Sequence, residues 1–178
     1  MSELDGAKRK LDLLPDGARV AVITYHGSFC PITRGHILCP VEARHILLNT
    51  GGETFVCKRP ERLEDFAEVL AFLKCNADSF VSSKLAKKVP PVPCIPYADR
   101  MMLIDLASEE HDWMFSNSNP RQALADLVHM YPKLEFVHCG LCGADDAIKY
   151  RKWNNAYPNH RVICMGRPAD PGAENGTE

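Results

Sequence analysis

The run Gly27-Ser28-Phe29-Cys30-Pro31-Ile32-Thr33-Arg34-Gly35-His36 holds the densest set of residues suited to phosphate chemistry. It follows Val20-Ala21-Val22-Ile23-Thr24-Tyr25, a short β-branched run that reads as a buried strand, and leads into a helical stretch over about residues 36–49. Gly27 permits a backbone turn and close approach by a ligand, so the N–H groups of Ser28 and Phe29 can point at an anion. The helix that follows offers its positive N-terminal end to the same anion. Thr33 and His36 stand three apart, which puts a hydroxyl and an imidazole on one face of a helical turn. On spacing alone, a Gly/Pro loop with a histidine that satisfies backbone groups accounts for these residues equally well.

The elements that must hold this loop follow from the rest of the chain. Its 178 residues, 46% hydrophobic and 25% charged, suit one soluble α/β-sized domain with a buried core. Residues 66–73 read as a second buried strand, with a helix over 62–73 as the alternative. Residues 97–110 carry apolar side chains at helical spacing, and 113–115, 134–139 and 161–165 read as further strands. Asn119-Pro120 opens a helix to about residue 131, with Asn as N-cap and proline at the first helical position. Pro40 is expected within about the first turn of its helix, since deeper placement would kink it, and Gly51-Gly52 should stop that helix. Strands alternating with helices predict a doubly wound, mainly parallel sheet. Residues 1–15 are expected to be a flexible extension, 16–168 the domain, 82–96 a mobile surface loop, and 169–178 a disordered tail.

The formal net charge is −2, so no bulk field favours nucleic acid or an anionic membrane. No apolar run approaches the ~18 residues needed to cross a bilayer. Residues 1–15 lack an apolar signal core, which predicts a reducing, cytoplasmic setting, with Lys8-Arg9-Lys10 as a weak nuclear address. The eight cysteines are therefore expected as free thiols. Cys139 and Cys142 form a C-x-x-C, but no second Cys/His pair has the spacing of a zinc site, so no metal ligands are assigned.

The segment from Gly27 to His36 resembles the G-S-F-x-P-x-T-x-x-H signature of nicotinamide-mononucleotide adenylyltransferases, with Thr33-Arg34-Gly35-His36 as the superfamily's (H/T)-x-G-H motif. Asp78-Ser79-Phe80 with Lys84, Lys87 and Lys88 is similar to the family's acidic, aromatic and lysine loop. Arg100 to Ala107 followed by Asp112-Trp113 resembles its R-x-x-M-x-x-x-A helix and aromatic. Val137 to Asp145 followed by Trp153 is similar to its C-G-A-D turn and downstream tryptophan, and Val162 to Arg167 to the next strand and its arginine. The chain enters a Gly/Pro/acid tail at Gly166 without the family's I-S-x-T/S-x-x-R motif, and Ser116-Asn117-Ser118-Asn119 stands where an acidic and aromatic pair is expected.

The resemblance implies a nucleotidylyltransferase-type, Rossmann-like fold, shortened at its C-terminal end. It implies adenylyl transfer from ATP, carried with Mg²⁺, to nicotinamide or nicotinate mononucleotide. In that picture His36 and Thr33 act on the reacting phosphate. Gly27, Ser28, Phe29, Lys84, Lys87, Lys88, Gly143, Asp145 and Arg167 bind nucleotide, and Trp113 and Trp153 stack on substrate. Two alternatives remain: a different phosphorylated acceptor, or a truncated domain that binds nucleotide with little or no turnover. The missing motif predicts weak ATP binding. The partners expected are ATP and a mononucleotide, without nucleic acid or membrane, and homo-oligomerisation stays open.

Overall fold

The computed structural model describes residues 4–48, 66–157 and 159–166. In chain order the elements are α1 (Asp5–Leu11), β1 (Arg19–Gly27), α2 (Arg34–Leu47), β2 (Glu68–Cys75), α3 (Asp78–Leu85), α4 (Tyr97–Ser108), β3 (Met114–Ser116), α5 (Pro120–Met130), β4 (Glu135–Gly143), α6 (Ala144–Lys149) and β5 (His160–Met165). A 3-10 turn at Lys152–Asn155 precedes β5. The five strands form one sheet of order β3-β2-β1-β4-β5, and each neighbouring pair is parallel. This is the α/β, Rossmann-like architecture that the strand–helix alternation predicts.

The central strands are buried on both faces, as parallel sheets covered by crossover helices must be. Val20 to Ile23 on β1 and Val69 to Leu73 on β2 have no solvent exposure and form the middle of the core with Ile104 and Leu127. The 66–73 stretch thus resolves to a strand from Glu68 onward, paired with β1 along its length and with β3 at Ala71 to Leu73. α5 starts at Pro120 after Asn119, as expected, though the Asn119 side chain makes no capping bond. The Asn117 side chain instead accepts from the Asn119 N–H at 2.8 Å.

Several boundaries differ from expectation. The 1–15 segment, expected to be flexible, contains α1, whose Ala7 and Leu11 are buried in the core. Lys10 pairs with Asp112 at 2.6 Å, and the Tyr131 hydroxyl bonds Asp12 at 2.7 Å, so the helix is held at its C-terminal end. Leu11→Ala should therefore lower stability by about 2–5 kcal/mol, the scale for emptying a buried leucine site. Urea unfolding checks this, and an unchanged midpoint would mean that α1 contributes nothing. α2 begins at Arg34, so Pro40 lies well inside the helix and is buried there. Residues 82–85 of the expected loop belong to α3, which leaves 86–96 without regular structure. The Gly51-Gly52 stop, Arg167 and the 169–178 tail lie outside the described residues.

Candidate functional site

Strand order reverses between β1 and β4, and the carboxyl ends of such neighbouring strands leave a crevice that loops cannot fill. A cavity of about 420 Å³ opens there, lined by the whole 25–31 loop, His36, Asn76, Phe80, Lys84, Lys88, Gly143 and Asp145. A second cavity of about 410 Å³ adjoins it, lined by Thr33, Gly35, His36, Cys39, Leu141, Met165 and Gly166. Tyr25, His36, Cys142 and Gly143 line both, so the two form one cleft divided by His36.

The loop conformation comes from Phe29. Its ring is 1% exposed, its φ is +42°, and it packs edge-on against Tyr25 and His36 with centroids 5.2 Å away in each case. A Cβ on Gly27 would sit 2.6 Å from that ring. Phe29 therefore already requires glycine at position 27, which also lines the cavity.

Beneath the loop lies Arg100, fully buried on α4. Its guanidinium donates to the Ser28 carbonyl at 2.7 Å, to the Ile95 carbonyl at 2.8 Å and to the Asn76 carbonyl at 2.9 Å. It also donates to the Asp78 carboxylate at 2.6 Å. That hydrogen bond holds the Asp78 carboxyl below its ordinary range. Pinning the Ser28 carbonyl directs the Phe29 N–H of the same planar peptide away from Arg100. Sequence reading quoted Arg100 within a helix motif but gave it no task.

Thr33 caps α2, and His36 is the third residue of the helix. The imidazole Nδ1 accepts the Thr33 backbone N–H at 3.1 Å and lies 2.9 Å from the Thr33 hydroxyl. With Nδ1 serving as acceptor, the ring proton resides on Nε2. A reciprocal cap of this kind fixes the ring as well as the helix start.

Lys84 lies in the last turn of α3, and both it and Lys88 line the larger cavity, whereas Lys87 does not. Gly143 ends β4, and Asp145 lies in the first turn of α6, on the opposite wall from the lysines. Trp113 is placed elsewhere. It immediately precedes β3, only 7% exposed, with the Arg44 guanidinium 5.0 Å from its ring centroid. Its neighbour Met114 pairs with Ala71, midway along β2, and Trp113 lines none of the cleft. Trp153 lies on the 3-10 turn, 54% exposed, and is likewise outside the cleft lining. Neither tryptophan lines the cleft, although Trp153 stands between Lys152 and Asn155, which line a neighbouring cavity.

The seven described cysteines are free thiols. Cys139 and Cys142 sit three apart on β4, so strand alternation sends them to opposite faces, where they cannot share a metal. Among the described residues no group of three potential ligands converges on a metal position. No described helix is long and apolar enough to cross a membrane.

Sequence reading missed a third feature, a cavity of about 210 Å³ floored by β1, β4 and β5. His138 and His160 face each other there, with Nδ1 atoms 2.6 Å apart, and His138 Nε2 lies 2.8 Å from the Thr24 hydroxyl. Burial, reinforced by His160, Arg121 and His26, lowers the His138 pKa to about 4. The unfolded chain binds that proton near 6.5, so the folded state loses stability as pH falls from there towards 4. The thermal midpoint should drop over this interval, and His138→Gln should flatten the drop. Equal slopes in the two proteins would remove His138 as its cause.

The fold and cleft define a Rossmann-like α/β domain with a ligand-sized crevice at its strand-order reversal. No family model and no curated protein matches the chain. Among solved structures it is similar to one from Vibrio parahaemolyticus, provisionally described as a nicotinate-nucleotide adenylyltransferase. The identity is 14% and the TM-score 0.42, over 85% of this chain and 77% of that one.

Proposed function

We propose that this chain is a nucleotidyltransferase that moves AMP from ATP onto the phosphate of a pyridine mononucleotide, nicotinamide or nicotinate mononucleotide, releasing pyrophosphate. The observation that carries the reading is the Thr33–His36 cap, which fixes the imidazole at the cleft that Lys84 and Lys88 also line.

An acceptor phosphate oxygen attacks the α-phosphorus of ATP, and the bond to the bridging oxygen of pyrophosphate breaks. The acceptor is already an anion, so no general base is needed. What the reaction requires is alignment and neutralisation of charge. In this reading the Phe29 N–H and the α2 N-terminus hold the phosphates, and His36 Nε2–H donates to oxygen that gains charge in the transition state. Lys84 and Lys88 stabilise the departing pyrophosphate. Mg²⁺ would enter as part of the Mg·ATP substrate and would supply charge neutralisation on the phosphates. Gly143 and Asp145 contact the nucleotide from the facing wall.

Incubation with ATP, Mg²⁺ and each mononucleotide tests this, with the dinucleotide and pyrophosphate both measured. Stoichiometric appearance of the two products is expected. Pyrophosphate formed only with another phosphorylated acceptor would move the substrate assignment. ATP binding without pyrophosphate would favour a nucleotide-binding domain without turnover.

A further inference from the structure

The 210 Å³ cavity lies on the other side of the strand ends from His36 and has a different chemistry. Even-numbered residues of three adjacent parallel strands, Thr24 and His26 on β1, His138, Gly140 and Cys142 on β4, and His160 and Val162 on β5, form its floor. Strand alternation puts them on one face of the sheet. Arg121, from the first turn of α5, and Lys152 and Asn155, from the 3-10 turn, close it from above. The lining contains two fixed cations, three imidazoles and no carboxylate. Lys152 is 3.8 Å from Asp146 outside the cavity, whereas no described carboxylate pairs with Arg121. Partial burial lowers the pKa of His26, and Lys74, then Arg121 and Lys152, lower it further.

A cation such as Arg121 gathered with like charges is costly unless solvent or an anion meets it. The cavity also adjoins the main cleft, since His26 and Cys142 line both. A molecule whose phosphate lies at the Ser28–Phe29 loop can therefore reach across His26 into this space. Gly140 leaves the floor open, and a Cβ there would meet nothing nearer than the Arg161 carbonyl at 3.7 Å.

We infer that Arg121 and Lys152, with the imidazoles of His26, His138 and His160, form a subsite for the anionic far end of the acceptor, a carboxylate or a second phosphate. This inference rests on the adenylyl-transfer reading for the word acceptor, but the anion site itself does not depend on turnover. The cavity volume suits one small ring or one phosphate. Arg121 supplies a planar, two-pronged donor for either group, and Lys152 a mobile point charge. Applied to a pyridine mononucleotide, this predicts selection of the ring acid over the ring amide, because the amide brings no charge to answer Arg121.

The test reads the imidazole signals of the intact chain by ¹H–¹⁵N NMR at fixed pH and ionic strength, with three probes added separately. Nicotinate and inorganic phosphate represent the two anion sources, and nicotinamide is the neutral match for nicotinate. Saturable shifts of the His26, His138 and His160 rings are expected with an anion, with nicotinamide at least tenfold weaker than nicotinate. A response to nicotinate alone assigns a carboxylate, and a response to phosphate alone assigns a phosphate. The Arg121→Gln, Lys152→Gln double variant and, independently, Gly140→Val should each abolish the response while the remaining ring spectrum shows an intact fold. No response to either anion, nicotinamide equal to nicotinate, or anion shifts that survive the double variant would overturn the subsite. Ring shifts as expected without any pyrophosphate release would instead remove the adenylyl-transfer reading and leave the anion site standing.

Discussion

His36→Ala is expected to lower the rate of pyrophosphate release by about 10²-fold or more, the loss typical of one donor to transition-state charge. The geometry makes this effect chemical and not architectural. Thr33 occupies Nδ1 from both its backbone N–H and its hydroxyl, so the ring is oriented before any substrate arrives. The Phe29 ring braces it from the side. Preorganisation of this kind means that no binding energy is consumed in turning the imidazole at the moment of reaction. The substitution removes one capping interaction, worth about 1 kcal/mol, so the variant should fold with its thermal midpoint lowered by roughly 2–4 °C. Thr33→Val keeps the ring and its backbone bond but deletes the hydroxyl, and a smaller loss of about tenfold is expected, of the order of one hydrogen bond. Initial rates at saturating ATP and mononucleotide, with folding checked by circular dichroism, decide the matter. An unchanged rate in His36→Ala would detach this residue from the chemistry.

What could be read from the sequence was what is local. The β-branched run before Gly27, the Asn119-Pro120 start and the apolar spacing of α4 each carry their signal within a few residues, and the sheet forms from them as expected. α1 was not legible because Asp5–Leu11 has only two turns, and charges outnumber its apolar positions. A helix that short is stable only through the burial of Ala7 and Leu11 against distant parts of the chain. Trp113 misled for a related reason. A motif gives order along the chain, but which end of the sheet a residue occupies depends on strand register, and Met114 pairs with Ala71 in the middle of β2. The histidine cavity had a signal in principle, since His26, His138 and His160 share one parity on their strands. Uniting them required the neighbour order β1-β4-β5, which no single segment contains.

Arg100→Met should be the most damaging single change to stability, lowering it by about 3–5 kcal/mol, the scale for several part-buried carbonyls losing their shared donor. Methionine fills much of the arginine volume, so the loss is polar and not a cavity. Three carbonyls, on Ser28, Asn76 and Ile95, lose their charged donor at once, and Asp78 loses its counter-ion. Each part-buried acceptor left unmatched costs up to about 1–3 kcal/mol unless water enters. These groups belong to the three segments that meet under the cleft: the loop after β1, the turn after β2 and the approach to α4. The thermal midpoint should fall by roughly 6–20 °C for a chain of this size. The damage also has a local signature that a general loss of stability lacks. With its carbonyl released, the Ser28–Phe29 peptide can rotate, so nucleotide affinity should weaken well below the melting temperature. Leu11→Ala, which unsettles the far side of the core, should leave that affinity intact. Calorimetric titration with Mg·ATP at about 10 °C compares the two variants under conditions where both are folded. Equal affinities in the two would show that Arg100 supports the fold and not the loop.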